Sequence, residues 1–101
     1  MSVPLVTDRP ELGRFEATLD GELAGFVDYR LVGQRRVLVH TEVLERFEGR
    51  GVGSALAVHV FERARASGER LTVKCPFLTT WLVRHPAYAD LATQARSPST
   101  P

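Results

Sequence analysis

The spacing of apolar residues changes at Gly51 from alternation to a helical period, so the chain must join strands to a helix across one short loop. Before the break, Phe15–Leu19, Leu23–Leu31 and Arg36–Val43 are rich in β-branched and aromatic residues. Asp20-Gly21-Glu22 and Val32-Gly33-Gln34 separate them and are short enough to demand antiparallel hairpins. After the break, Gly53, Leu56, Ala57, Val60, Phe61 and Ala64 fall on one side of a helix, while Glu62, Arg65 and Ala66 face away. Ser67-Gly68 stops that helix, because glycine accepts the left-handed conformation with which helices commonly end.

Leu71–Cys75 is a further β-rich run, closed by Pro76, whose fixed φ suits the first turn of a helix. Phe77, Leu78, Trp81, Leu82 and His85 give that helix its apolar face, and Pro86 ends it. The connection from Val43 to Leu71 is long enough for a right-handed crossover, which makes these two strands parallel. The expected fold class is α/β: an N-terminal antiparallel meander, a strand–helix–strand crossover completing a mixed sheet, and a short C-terminal helix. One domain would cover residues 1–92 and a disordered tail residues 93–101, which end in Ser97-Pro-Ser-Thr-Pro101. In a crossover the helix runs antiparallel to both strands. Glu42, Val43 and Cys75 should therefore converge with the glycine loop at one edge of the sheet.

Composition narrows the function classes. A chain of 101 residues, 44% hydrophobic, supports a single modest core. Thirteen basic against twelve acidic residues leave a formal charge of +1, without the broad basic field that nucleic-acid binding requires. Arginine makes up twelve of the thirteen basic residues, which suits bidentate phosphate recognition but is equally explained by codon usage. The N-terminus has neither a basic nor an apolar leader region, and no run of eighteen apolar residues occurs, so a cytoplasmic protein without a membrane partner is expected. The lone Cys75 excludes an intramolecular disulfide, and His40, His59 and His85 lack zinc-ligand spacing, so no metal is expected.

Glu45-Arg-Phe-Glu-Gly-Arg-Gly-Val-Gly-Ser-Ala-Leu56 places Gly49, Gly51 and Gly53 just ahead of the helix. Free N–H groups at a helix N-terminus carry partial positive charge, and glycine lets a phosphate approach the backbone. Arg50 and Arg46 can add charge-assisted bonds to the same anion. No Gly-Lys-Ser/Thr follows, and the spacing is not Gly-x-Gly-x-x-Gly, so neither a P-loop nor a dinucleotide fingerprint is present. Alternate glycines would serve equally as a tight turn with close packing.

In context, Phe47–Leu56 resembles the acyl-coenzyme-A pyrophosphate loop of the GNAT superfamily of N-acetyltransferases. That loop carries Gln or Arg, two residues, Gly, one residue, then Gly or Ala. Gly51 and Gly53 fit its glycines with Glu48 in the first position; Arg46, Gly49 and Gly51 match the letters earlier in the chain. His40-Thr-Glu-Val43, Cys75-Pro-Phe77 and His85-Pro-Ala-Tyr88 extend the resemblance to a small single-domain branch over roughly residues 10 to 92. The superfamily's larger members have extra helices after the first strand that are missing here, which implies a more open acceptor side.

The resemblance implies acetyl-CoA as cosubstrate, held by backbone N–H groups of Gly51, Val52, Gly53 and Ser54 with Arg50, and by main-chain groups near Val43. Thioester aminolysis needs a neutral amine and a protonated leaving thiol. Glu42 is the candidate base with His40 in support, set against a solvated Glu–His pair on an open sheet face. Cys75 is a candidate nucleophile or acyl contact, set against a small buried hydrophobe. Tyr88 can protonate the leaving thiolate or merely anchor the C-terminal segment. His85 is read as a helix C-terminal dipole partner, His59 as solvated and Trp81 as core. The expected function is acetyl-CoA-dependent N-acetyltransfer to an unidentified amine, by a monomer or weak homodimer. The alternative is a coenzyme-A-binding or protein-interaction module with little catalysis, which Glu48 favours.

Overall fold

The two short connections read as hairpins do close antiparallel pairs. Leu19 pairs with Glu22, leaving Asp20 (φ 53°) and Gly21 (φ 82°) as a two-residue loop of left-handed residues, the geometry that matches the twist of the flanking strands. Residues 3–94 are described by the structure, a computed structural model, and within them six strands form one sheet in chain order. These are β1 (Leu5–Arg9), β2 (Arg14–Leu19), β3 (Glu22–Val32), β4 (Arg35–Val43), β5 (Leu71–Val73) and β6 (Ala92–Gln94). The first four run antiparallel, and β4–β5 and β5–β6 are parallel, as the crossover length requires.

Two strands were not anticipated. β1 pairs along its length with β2, and β6 adds three residues beside β5. Thr93 and Gln94 therefore belong to the sheet rather than to a tail; residues 95–101 lie outside the described residues.

Helix α1 (Val52–Ser67) buries Val52, Leu56, Ala57, Val60, Phe61 and Ala64, and Gly68 terminates it at φ 75°. Helix α2 (Pro76–Arg84) opens on its proline and buries Leu78, Trp81 and Leu82. Trp81 stacks on Phe61 at 5.6 Å, so the two helices pack side by side over one face of the sheet. Phe15, Ala17, Val27, Leu38, Leu71 and Val73 meet them from the strands.

One irregularity in β4 shapes the site. Tyr29 pairs with Leu38 but Asp28 pairs with His40, so Val39 is an extra residue in β4. The bulge re-aims the rest of the strand. Arg36 and Leu38 face the helices before it, Thr41 and Val43 after it, and His40 and Glu42 lie on the uncovered face. β5 follows β4 only through Leu38↔Val73, with a last bond from the Lys74 N–H to the Leu38 carbonyl at 2.9 Å. Beyond that point the two strands part, and among the described residues the β4 edge from Val39 to Val43 has no strand partner on the β5 side.

Candidate functional site

Where β4 and β5 part, a groove of about 610 Å³ opens beneath the start of α1. Its walls are Thr41 and Val43 of β4, the loop from Glu48 through Ser54, and Phe77, Thr80, Trp81, Arg84 and His85 on the α2 side. Pro76 and the α2 register bring that second wall into place; Trp81 is in the core, as expected from its spacing, and also lines the groove, which that spacing does not reveal.

The loop has the predicted form, but its glycines do different work. Gly49 (φ 79°) and Gly51 (φ 81°) hold left-handed conformations, and a Cβ on either would meet no protein atom within 4 Å. Gly51 is the N-cap and no side chain caps the helix. The first helical bond is Ala55 N–H to the Gly51 carbonyl, 3.0 Å, so the N–H groups of Val52, Gly53 and Ser54 have no intrahelical partner. Gly53 is helical and packs closely instead: a Cβ there would stand 2.7 Å from Cζ of Phe77, the far end of an exposed side chain. The Ser54 hydroxyl accepts a bond from Trp81 Nε1 at 3.3 Å, tying the helix start to the opposite wall.

The cations are arranged differently from the sequence expectation. Arg50 is exposed and is not among the residues that line the groove. Arg46 is ion-paired with Glu22 and lies over Phe47. The guanidinium that lines the groove belongs to Arg84, in the last turn of α2. Glu48 lines the groove too, adding a carboxylate beside the uncapped N–H groups.

Of the candidate chemical residues, Glu42 and His40 are brought together, with Nε2 and Oε1 3.3 Å apart and the Glu42 side chain 51% exposed. They stand on the opposite face of the sheet from the groove, next to Phe26, whose ring centroid is 6.3 Å from that of His40. Cys75 does not face Val43 across a strand pair. The bulge and the parting of the strands place it beside Thr41, and the thiol, 2% exposed, donates to Thr41 Oγ1 at 3.1 Å. Tyr88 is not brought to the groove: its hydroxyl donates to Glu62 on the outward side of α1, a bond that pushes the phenol above its ordinary pKa. His85 does line the groove, stacked on Trp81 at 3.8 Å with Nδ1 2.8 Å from the Trp81 carbonyl. His59 is half-buried, with its ring centroid 5.9 Å from that of Phe15, rather than solvated. Among the described residues no group of three His, Cys, Asp or Glu is placed to hold a metal, and no helix is long and apolar enough to cross a membrane.

A family profile described as GCN5-related N-acetyl-transferase matches residues 14–91. The chain belongs to this family. Solved GNAT structures share its fold. The solution structure of a GCN5-like protein from Staphylococcus aureus superposes with a TM-score of 0.68 at 22% identity, over 91% of this chain and 90% of the other. The ribosomal-protein-alanine N-acetyltransferase of Brucella melitensis biovar Abortus 2308 gives 0.58 at 21%, over 87% and 66%. AAC(6')-Iy, solved with the bisubstrate analogue CoA-S-monomethyl-acetylneamine, gives 0.50 at 24%, over 87% and 67%. No curated protein sequence matches the chain. Within the GNAT fold, the near-complete mutual coverage with the Staphylococcus protein indicates a similarly small frame.

Proposed function

We propose that this GNAT protein transfers an acetyl group from acetyl-coenzyme A to an amine. The observation that carries the reading is the uncapped start of α1 opening into the groove beside an unpaired stretch of β4. Acetyl-coenzyme A, when bound, supplies an acetyl thioester and a thiol leaving group. The N–H groups of Val52, Gly53 and Ser54 are donors suited to a pyrophosphate, and among the described residues none comes within 4 Å of a Cβ placed at Gly49 or Gly51. Arg84 supplies positive charge from the other wall. The free β4 edge near Val43 offers main-chain groups to an extended amide chain such as pantetheine, in the manner of an added strand.

Glu42 takes the proton of the attacking amine on the open face, with His40 as its neighbour. The amine reaches the groove side through the gap between β4 and β5. Cys75 is a packing contact at that gap, since a buried thiol already donating to Thr41 has no base beside it to make a nucleophile. One observation favours the weaker-catalysis alternative of a coenzyme-A-binding module: the Glu48 carboxylate lines the groove and opposes an anion.

Two measurements test the reading. Coenzyme A should stabilise the fold by mass action, about 2.7 kcal/mol at a hundredfold excess over Kd. Free thiol should accumulate from acetyl-coenzyme A only when an amine is added. Absence of a thermal shift at millimolar coenzyme A overturns the cofactor assignment, and a shift without amine-dependent thiol release leaves the binding-module reading in its place.

A further inference from the structure

The open face of the sheet carries the acceptor half of this reaction, and its charges are segregated. Around the proposed base lie Glu42, His40 and, opposite His40 in the strand register, Asp28. One step down β4, past the bulge, the character reverses. A small pocket of about 120 Å³ is lined by Val32, Val37 and Val39, with Arg30, Thr72 and Lys74. Arg35 stands beside it, held by a bond to the Thr72 hydroxyl at 3.2 Å.

Among the described residues Arg30, Arg35 and Lys74 form no ion pair, whereas Arg9 and Arg14 on the same face are both paired with Glu16. Three cations around this pocket with no carboxylate among them repel one another unless an anion joins them. Among the described residues no helix covers this face, so an extended polypeptide can lie across it.

We propose that the acceptor is a peptide amine followed closely by an acidic side chain, which Arg30 and Lys74 receive while the amine lies at Glu42. The inference rests on the acetyl-transfer reading and adds the substrate class to it. Strands advance about 3.3 Å per residue, so Val39 and Glu42 are roughly 10 Å apart. An extended peptide covers that distance in about three residues. The carboxylates near His40 favour the cationic amine, and the cations below favour its acidic neighbour. The face therefore discriminates by orientation as well as by charge.

The test uses the full chain and two fluorescent peptides with a free N-terminal amine, one carrying Glu at the second to fourth positions and the other Gln. Fluorescence anisotropy at low salt should give at least tenfold tighter binding of the Glu peptide, with the difference shrinking as salt screens the contacts. Arg30→Glu with Lys74→Glu should reverse the preference towards a Lys-containing peptide while leaving the thermal shift by coenzyme A unchanged. The milder pair Arg30→Gln and Lys74→Gln should remove the preference without reversing it, which serves if charge reversal unfolds the sheet edge. Equal binding of the Glu and Gln peptides, a preference that survives both pairs, or competition by free glutamate as strong as by the peptide overturns the inference. Amine-dependent thiol release with no acidic preference sinks this inference alone. Failure of release with every amine sinks the catalytic reading, and anisotropy still reports on the charge preference.

Discussion

Alanine at Gly51 and alanine at Gly53 should behave differently, although both glycines belong to one motif. At Gly51 the backbone sits at φ 81° with open space where a Cβ would go. The cost of Gly51→Ala is therefore the left-handed penalty alone, about 1–2 kcal/mol. At roughly 4–8 °C per kcal/mol for a domain of this size, the melting temperature should fall by about 4–16 °C. Gly53 is helical, so alanine gains up to about 1 kcal/mol of helix propensity. Against that gain, the new Cβ would stand 2.7 Å from Cζ of Phe77. That ring is the far end of a residue that is 40% exposed, and turning it off its rotamer costs on the order of 0.5–1.5 kcal/mol. The two terms nearly cancel, so Gly53→Ala should barely move the midpoint. In a Phe77→Ala background the obstruction is gone, and the same substitution should stabilise by up to about 1 kcal/mol. Thermal unfolding of the four proteins of this cycle, with and without coenzyme A, measures the coupling directly. Equal destabilisation by Gly53→Ala in both backgrounds would refute the packing argument and return Gly53 to the role of a phosphate approach.

His59 has its pKa lowered by burial first and by the Arg63 charge second, so the unfolded chain binds the proton more readily. Its contribution to stability is complete above about pH 6.5 and is lost as pH falls from there through the folded-state value. Denaturant midpoints of His59→Gln should accordingly vary less between pH 7 and pH 5 than those of the parent, and parallel curves would contradict the assignment. Glu48→Gln should tighten coenzyme A at low salt and Glu48→Arg should tighten it further; weaker binding by both would mean that the carboxylate does not face the phosphates. Glu42→Gln should lower kcat by about 10²–10⁴-fold, the usual reach of a general base, while Cys75→Ala keeps most of the turnover. An acetylated Cys75 that forms and decays as fast as turnover would reverse that pair of expectations.

The elements legible in the sequence are those whose signal is local. The β2–β3 and β3–β4 hairpins are fixed by loops too short for any other path, and α1 by its apolar stripe and the glycine that ends it. β1 escaped notice because its apolar residues do not sort cleanly: Leu5 is on the exposed side and Asp8 faces inwards to accept the Tyr29 hydroxyl. β6 is a strand only because β5 is beside it, and three residues carry no periodicity of their own. In the site, the uncapped helix start was legible and its surroundings were not. Arg84, Trp81 and His85 come from a helix whose lateral position depends on tertiary packing, as in the Phe61–Trp81 stack.

His40 and Glu42 share an open face, as one of the two sequence readings has it, but the expected convergence of Glu42 with Cys75 fails, and one residue accounts for both. Val37-Leu38-Val39 is an apolar run in which no letter marks a bulge, so alternation continued through it would put His40 and Glu42 on the same face as Arg36 and Leu38, beneath the helices. A carboxylate there would be buried without a partner, which costs several kcal/mol. The extra residue at Val39 turns the pair outwards instead and gives Thr41 and Val43 to the groove. It also coincides with the end of β4–β5 pairing, because Leu38 is the last residue in register with β5. The same irregularity thus puts the Glu42–His40 pair and the groove on opposite faces of the sheet, at the point where β4 and β5 part. That is why Glu42 and Cys75, expected as neighbours on one edge, are apart, with Glu42 exposed on the uncovered face and Cys75 buried beside Thr41.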